Sequence, residues 1–142
     1  MPKSEKYVEA EVIKYLRHNG FSVHVYESKA SFSKSSNSYR KNRSLVEGHS
    51  DIAGCDKDGL AVYIELKTPK TDNSMRMSQY MFLREKIKFG AFVCVISGID
   101  KLEALYSEFK KTRSKDLLIN ALPENVELPG RSGKILRSSI CI

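Results

Sequence analysis

Two carboxylates and a lysine occupy positions from which a short hairpin would bring them onto one face of a sheet. Asp51 lies in one strand-like segment, and Glu65 and Lys67 lie two residues apart in the next one. Side chains at positions i and i+2 of a strand point to the same face, so Glu65 and Lys67 share a face. Two close carboxylates repel each other unless a cation lies between them. The pattern therefore favours a divalent cation with oxygen ligands, and Mg²⁺ or Mn²⁺ is the preferred ion where the substrate is a phosphate.

The turn between the two strand-like segments decides whether Asp51 joins that face. A three-residue turn over residues 57–59, with Gly59 in the left-handed conformation, places Asp51 directly opposite Glu65. A four-residue turn would place Asp51 opposite Ile64 and turn Glu65 to the other face, because a slip of one residue flips every side chain. The three-residue register also gives the opposite face an apolar set, which is Ile52, Val62, Ile64 and Leu66. We therefore predict the three-residue turn.

The residues around this trio resemble a known family motif. Gly48-His49-Ser50-Asp51 and Ile64-Glu65-Leu66-Lys67, with thirteen residues between Asp51 and Glu65, resemble the motif of the PD-(D/E)XK nucleases. The hydrophobic residues before Glu65, and Ser78-Gln79 at the start of the next helix, resemble in particular the VRR-NUC branch, the virus-type replication-repair nucleases. The likeness covers about residues 5–97. Ser50 stands where the family motif has a proline, which serves shape rather than chemistry.

The resemblance implies a metal site. Asp51 and Glu65 would bind Mg²⁺ or Mn²⁺, and the backbone carbonyl of Leu66 is a candidate for a further ligand. A glutamate on the first helix completes the family's site, and we assign it to Glu5, with Glu9 one turn later as the alternative. An acidic residue in the first turn of a helix is also expected from the helix dipole alone, so the sequence leaves both explanations of Glu5 open.

The resemblance also implies roles for the remaining polar residues. Lys67 would orient or activate the attacking water and offset charge in the transition state, and Gln79 would position Lys67 or a phosphate.

In the three-residue register His49 falls opposite Lys67, where it is a candidate phosphate contact or proton acceptor; an ordinary strand histidine is the alternative. For the trio itself the alternative is an exposed cluster of cross-strand ion pairs, which contributes little energy.

The elements that must position these residues follow from hydrophobic periodicity. Helical spacing predicts helices, alternation predicts half-buried strands, and the unbroken apolar run over residues 91–96 predicts a strand buried on both faces. In chain order we predict a helix over residues 5–19 with Ser4 as its N-cap, strands over 21–26, 49–55 and 60–67, a helix from Asn73 or Ser74 to Gly90, the strand over 91–96 and a helix over 100–112. The second helix is expected to bury Tyr80, Met81, Leu83 and Ile87. This order describes an α/β fold, a mixed sheet flanked by helices in the order αβββαβα, and the resemblance implies a restriction-endonuclease-like core.

A basic, serine-rich segment separates the first strand from the hairpin. Residues 27–47 hold seven serines, which predicts a long mobile loop. The loop is expected to contact a nucleic-acid backbone, with its tyrosine stacked on a base, through Lys34, Tyr39, Arg40, Lys41 and Arg43. A flexible solvated loop without that role is the alternative. After residue 112 we predict no clear element beyond short extended pieces, and therefore one domain over residues 1–142 with a C-terminal extension over 113–142.

Composition narrows the class of protein. The formal net charge of +7 and the isoelectric point near 9.3 favour a polyanionic partner. Residues 91–96 form the longest apolar run, which is too short to cross a bilayer, and the first residues lack the apolar stretch of a signal peptide. Cys55, Cys94 and Cys141 lack metal-binding spacing, so we expect reduced thiols. These features predict an intracellular, cytoplasmic protein, in a bacterial cell or a phage host, without membrane association.

Taken with the resemblance, the sequence predicts a metal-dependent endonuclease that hydrolyses phosphodiester bonds in DNA rather than RNA. The resembled branch implies selectivity for branched substrates such as Holliday junctions, in phage or cellular replication and repair. One active site per chain cuts two strands symmetrically only when two copies assemble, so a homodimer is expected. The alternatives are a nicking or single-strand nuclease, and a nucleic-acid-binding or protein-binding module of the same fold without catalytic activity.

Overall fold

The computed structural model describes residues 4–26, 46–130 and 133–140, and the backbone of residues 31–33 and 38–40. Its helices are α1 (Glu5–His18), α2 (Met77–Lys88), α3 (Ile99–Thr112) and α4 (Lys115–Asn120), with a 3-10 turn at Arg137–Ser139. Its strands are β1 (Ser22–Val25), β2 (Ser31–Ser33), β3 (Ser38–Arg40), β4 (Ile52–Cys55), β5 (Ala61–Leu66), β6 (Ser74–Arg76), β7 (Phe92–Ile96), β8 (Asn125–Glu127) and β9 (Lys134–Leu136). No helix within these ranges is long and apolar enough to span a membrane.

The main sheet is mixed and has the strand order β1-β4-β5-β7. β1 pairs with β4 and β4 with β5 in antiparallel fashion, whereas β5 and β7 are parallel. The elements that build and cover this sheet follow one another as α1, β1, β4, β5, α2, β7 and α3. The predicted α/β class and this order of elements are therefore confirmed.

The β4–β5 hairpin has the predicted register. The ladder pairs Ile52 with Ile64, and continuing it by one step places Asp51 opposite Glu65. The N–H of Asp56 donates to the Leu60 carbonyl at 2.9 Å, which closes a three-residue turn whose Gly59 has φ +86°. All four side chains predicted for the apolar face are buried, namely Ile52, Val62, Ile64 and Leu66. The three-residue turn is thus confirmed, because both its glycine and the apolar face require it.

Helices cover both faces of the main sheet. On the face that carries Tyr63 and Glu65, the Phe82 ring of α2 packs against Tyr63 at 5.5 Å between ring centroids. On the other face, Phe92 of β7 packs against Tyr106 and Phe109 of α3. Helix α1 contacts α3 and β1 and buries Val8, Val12 and Leu16, with the predicted Ser4 cap accepting the Tyr7 N–H at 3.2 Å. All five residues of β7 are buried, as the unbroken apolar run predicted, but the strand lies at the edge of the main sheet and not at its centre as expected.

The start of α2 differs from the prediction. Asn73 or Ser74 was expected at the helix cap, but Ser74 opens strand β6, and α2 begins only at Met77 with Arg76 as its N-cap. The preceding Met75 is 1% exposed, so its burial draws these three residues into an extended conformation that the capping pattern did not reveal. Met81 was expected in the core but is 43% exposed, because it lies on the outward side of α2.

A second sheet, with the order β6-β8-β9, was not predicted. β6 and β8 are parallel, and β8 and β9 are antiparallel. The C-terminal residues, in which only short extended pieces were expected, contribute the three-residue strands β8 and β9 and also the helix α4, which was not expected. Val126 of β8 is fully buried, and it belongs to the same hydrophobic cluster as Met75 and the residues of the main sheet.

The serine-rich segment is not wholly irregular. β2 and β3 pair in antiparallel fashion within it, with Phe32 opposite Tyr39, so the expected long loop contains a small hairpin. The side chains of the residues predicted to contact nucleic acid here lie outside the described part of the chain; they are Lys34, Tyr39, Arg40, Lys41 and Arg43.

Candidate active site

Asp51 lies at the end of the hairpin ladder, one residue before β4. Its Oδ2 accepts the backbone N–H of Leu66 at 2.8 Å, and its carbonyl accepts the N–H of Tyr26 at 2.8 Å. The Asp51 carboxylate therefore accepts a backbone N–H of β5 that a carbonyl of the neighbouring strand would accept if the ladder continued. Since the N–H and C=O of one strand residue point to the same side, the Leu66 carbonyl faces the side on which Asp51 lies.

Glu65 is a buried acid with an incomplete set of partners. Its side chain is 4% exposed, and its Oε1 accepts the side-chain amide of Gln79 at 3.0 Å. Oε2 is buried and has no hydrogen-bond partner among the described residues. Burial raises the pKa of Glu65 to about 9, and the neighbouring Asp51 carboxylate adds to that effect, while Lys67 opposes it. The carboxyl group thus has one oxygen free for a cation or a proton.

Gln79 links the start of α2 to this acid. The side chain is 6% exposed, its Nε2 donates to Glu65, and its Oε1 accepts the backbone N–H of Arg76 at 3.0 Å. The family resemblance implied that Gln79 positions Lys67 or a phosphate, but in the structure its partner is Glu65. The position of α2 therefore fixes the orientation of the Glu65 carboxyl group.

Gly48 allows the loop before β4 to lie directly against α2. Its φ is +76°, and a Cβ at this position would lie 2.1 Å from the carbonyl oxygen of Ser78. Ser50, which stands where the family motif has proline, is fully buried and donates its hydroxyl to the Ile52 carbonyl at 2.9 Å. Only glycine fits this approach of two backbone segments, which brings the Asp51 loop and Gln79 together.

Lys67 and Glu5 lie near the two carboxylates. Lys67 is half-buried and donates its backbone N–H to Ile96 at 2.8 Å, and its charge lowers the pKa of Glu65. Glu5 is exposed in the first turn of α1, and its charge raises the pKa of Glu65, as a neighbouring carboxylate must. Glu9, the alternative helix glutamate, is half-buried. The charges of Glu5 and Lys67 thus both act on Glu65, one from the start of α1 and the other from the end of β5.

His49 lies outside the strand ladder, in a cluster of aromatic rings. Its imidazole stacks on Tyr26 at 3.7 Å between centroids and packs against Phe82 at 4.6 Å. Its Nδ1 lies 2.7 Å from the carbonyl oxygen of Ser50, and burial lowers its pKa. These contacts favour a role in holding the loop before Asp51 over the proton acceptor or phosphate contact that its position relative to Lys67 suggested.

The donors in this region fit a magnesium-like ion. Within the described ranges, no group of three or more His, Cys, Asp or Glu side chains is placed to hold a metal by itself. Mg²⁺ commonly takes only one or two carboxylates and completes its shell with waters and substrate phosphate oxygens. Asp51 and Glu65 supply that number of carboxylates, and the unpartnered Oε2 of Glu65 is the observation that a cation would explain.

Asp56, directly before the hairpin turn, is a buried acid. Its Oδ1 accepts the backbone N–H groups of Asp58 and Leu60, and its Oδ2 accepts the Tyr106 hydroxyl and the Lys110 ammonium. Burial alone would raise the pKa of Asp56, but these four hydrogen bonds outweigh it and lower the pKa to about 2. The acid therefore fixes the turn that sets the register, and the sequence signal for it was an aspartate that opens a turn, whose side chain can accept the N–H two residues later.

No protein-family model, curated protein or solved structure that was compared with this chain matches it. The function must therefore be inferred from the chemistry of the residues brought together at the ends of β4 and β5. These are Asp51, Glu65, Lys67 and Gln79, with Glu5 nearby.

Proposed function

We propose that this chain is a metal-dependent nuclease of the PD-(D/E)XK type that hydrolyses phosphodiester bonds in DNA. One observation carries the proposal: Glu65 is buried beside Asp51, and its Oε2 has no partner among the described residues. Two adjacent carboxylates in a largely buried position are costly unless a cation compensates them. A divalent metal held by both carboxylates removes that cost and brings a phosphate oxygen to the site.

The arrangement of elements supports the proposal. The order α1, β1, β4, β5, α2, β7, α3, with β5 and β7 parallel, is the order expected for a restriction-endonuclease-like core. The acidic pair and Lys67 lie where the strands of the hairpin end, as the resemblance to the VRR-NUC branch implies. The agreement of motif, register and element order supports this reading over an exposed cluster of ion pairs, because Glu65 is buried.

Each residue has a distinct part in the proposed reaction. Asp51 and Glu65 would hold Mg²⁺ or Mn²⁺, with the Leu66 carbonyl on the same side of β5 as a further oxygen donor. When bound, the metal supplies Lewis-acid stabilisation of the phosphate and lowers the pKa of a coordinated water. The Lys67 ammonium orients the attacking water and offsets the negative charge that grows on the phosphate oxygens. Gln79 keeps the Glu65 carboxyl group in one orientation through its hydrogen bond to Oε1.

The charge of the chain supports a polyanionic substrate. The net charge is +7, and contacts between basic side chains and phosphates release counterions. We take branched DNA as the leading substrate and two copies of the chain as the active assembly, because one active site cuts one strand.

A cleavage assay tests the proposal. Linear, supercoiled and four-way-junction DNA, with single-stranded RNA as comparison, are incubated with the protein and Mg²⁺, Mn²⁺ or EDTA. We expect cleavage only with metal, fastest on the junction, and a loss of at least about 100-fold in rate for Glu65→Gln. Glu108→Gln removes an exposed acid of α3 and is the matched control, which should cleave like the parent. If neither metal supports cleavage of any substrate, or if Glu65→Gln cleaves like Glu108→Gln, the proposal is wrong.

A further inference from the structure

The second sheet has an apolar face and a charged face. Its register aligns Met75, Val126 and Ile135 in one row across the three strands, and Arg76, Glu127 and Lys134 in the next row. The first row is the buried one, since Met75 is 1% and Val126 0% exposed. Neighbouring residues of a strand point to opposite faces, so the charged row lies on the outward face. Arg76 and Lys134 are both exposed there.

This charged row begins next to the candidate active site. The backbone N–H of Arg76 donates to Gln79 Oε1 at 3.0 Å, and Gln79 Nε2 donates to Glu65 Oε1 at 3.0 Å. Two such hydrogen bonds and the width of one amide group place the Arg76 nitrogen within about 8 Å of the Glu65 carboxyl group. The guanidinium of an arginine at this point is long enough to meet a phosphate next to the one being cleaved.

The cations of the row are not held by salt bridges. Within the described ranges, no acidic side chain forms an ion pair with the guanidinium of Arg76 or the ammonium of Lys134. Glu127 lies between them on β8, yet no ion pair joins it to either cation there. Arginine and lysine in this state retain their full capacity for phosphate oxygens.

We propose that the outward face of the β6-β8-β9 sheet binds the nucleic-acid backbone beside the scissile phosphate, with Arg76 and Lys134 as its phosphate contacts. The identity of the bound polymer rests on the proposed function. Two interstrand spacings separate the Cα atoms of these residues by roughly 10 Å, which lets the two long side chains contact different phosphates of one strand. Glu127 repels the same backbone and weakens the binding that its neighbours provide.

Binding measurements in EDTA test the surface without cleavage. A fluorescent four-way junction and a linear duplex are titrated with the full chain and with Arg76→Gln, Lys134→Gln, the double variant and Glu127→Gln. Arg76→Gln and Lys134→Gln should each bind DNA about 5-fold more weakly than the parent at physiological salt. Each should also reduce the magnitude of the slope of log K against log salt concentration by about 1. Glu127→Gln should bind more tightly, by about 3-fold, which a merely structural role for this row would not produce.

Matched controls remove one exposed positive charge elsewhere. The control variants are Lys57→Gln and Lys111→Gln. Lys57 lies in the hairpin turn and Lys111 in the last turn of α3, and both are at the end of the sheet away from Asp51 and Glu65. Six residues of extended chain separate Lys57 from Asp51, which corresponds to about 20 Å. Both controls should change the affinity by less than 2-fold.

The outcomes separate this inference from the proposed nuclease activity. If the parent cleaves DNA and the double variant binds and cleaves like the two controls, the inference is overturned and the nuclease proposal stands. If the parent cleaves nothing but the double variant loses affinity and salt slope, the binding surface is supported and the nuclease proposal falls. If Arg76→Gln slows cleavage with affinity and salt slope unchanged, the residue acts through Gln79 and the proposed phosphate contact is wrong.

Discussion

At the scale of single residues, the proton affinity of Glu65 has a measurable effect on stability. Its pKa in the folded chain is about 9, against an ordinary value of 4.5. A group whose folded pKa is raised contributes stability that is fully present below the unfolded pKa and is lost as the pH rises through the folded pKa. In the absence of metal, the folded protein therefore loses stability from about pH 4.5 toward pH 9.

Replacing Glu65 by glutamine removes that loss. In EDTA, Glu65→Gln should be more stable than the parent at pH 8.5 by about 2 kcal/mol, and the difference should shrink at pH 5. Urea unfolding at the two pH values measures both free energies. Excess Mg²⁺ should stabilise the parent and leave the variant unchanged, because the proposed metal site needs the Glu65 carboxylate. Equal pH dependence in the two proteins would contradict the assignment of a buried, proton-binding acid.

The convergence of Asp51, Glu65 and Lys67 could be predicted because it follows from local rules. Strand alternation puts Glu65 and Lys67 on one face, and the turn fixes the partner of Glu65. The partner of Gln79 could not be predicted in this way. It depends on how closely α2 approaches the hairpin, which is decided by a contact between Gly48 and the backbone of Ser78.

At the scale of elements, the contact between Gly48 and the Ser78 backbone can be tested by comparing the effect of an added Cβ at Gly48 and at Gly59. Gly48 and Gly59 both have positive φ, but a Cβ would collide with Ser78 at the first and meet open space at the second. Gly48→Ala should therefore cost at least about 3 kcal/mol of stability, and Gly59→Ala about 1 kcal/mol. Denaturant unfolding gives both values. Similar losses in the two variants would show that α2 does not lie against the Asp51 loop.

The hairpin turn yields a second prediction for an element. The pKa of Asp56 is lowered to about 2 from 3.8, so its contribution to stability is present above about pH 3.8 and is lost as the pH falls toward 2. Asp56→Asn should destabilise the fold by about 2 kcal/mol at pH 7 and flatten that acid transition, because charge-assisted hydrogen bonds are lost.

Circular dichroism between pH 2 and pH 7 follows this transition. Asp58→Asn is the control, since Asp58 is an exposed neighbour that contacts the same Lys110. We expect it to change stability by less than about 0.5 kcal/mol. A control variant that loses as much as Asp56→Asn would assign the effect to the loss of a surface charge.

The elements differ in how far the sequence determines them. β4 and β5 are neighbours joined by a tight turn, so their alternation and the turn chemistry agree on one register. β6, β8 and β9 have three residues each, which is too short for a periodic pattern. Helix α4 was also missed, although Ser114 accepts the Leu117 N–H in the manner of an N-cap.

At the scale of the whole molecule, the two sheets share one hydrophobic cluster. Val126 of β8 and Met75 of β6 belong to the cluster that also contains Val8 of α1 and Ile64 of β5. The C-terminal strands therefore support the same core as the candidate active site. Burial of residues from distant parts of the chain is a tertiary effect, and this is why the C-terminal residues showed no pattern of their own.

A core substitution in β8 tests this coupling. Val126→Ala removes two methyl groups at a position that is 0% exposed and should lower the free energy of unfolding by about 2 kcal/mol. Leu136→Ala, in the adjacent β9 at a position that is 56% exposed, should change it by less than about 0.5 kcal/mol. Thermal unfolding compares the two. If both variants melt with the parent, the second sheet is not part of the core.

The pairing of β6 with β8 also determines when during synthesis the candidate active site is completed. Ser74 pairs with Asn125, so the strand directly before α2 has no partner until about fifty further residues have been translated. At 5–20 residues per second this interval lasts roughly 3–10 s. A nascent chain that already carries Asp51, Glu65 and Lys67 therefore lacks the support that holds Gln79 against Glu65. We therefore expect the proposed activity toward nucleic acid to be absent from the ribosome-bound chain until β8 and β9 have emerged.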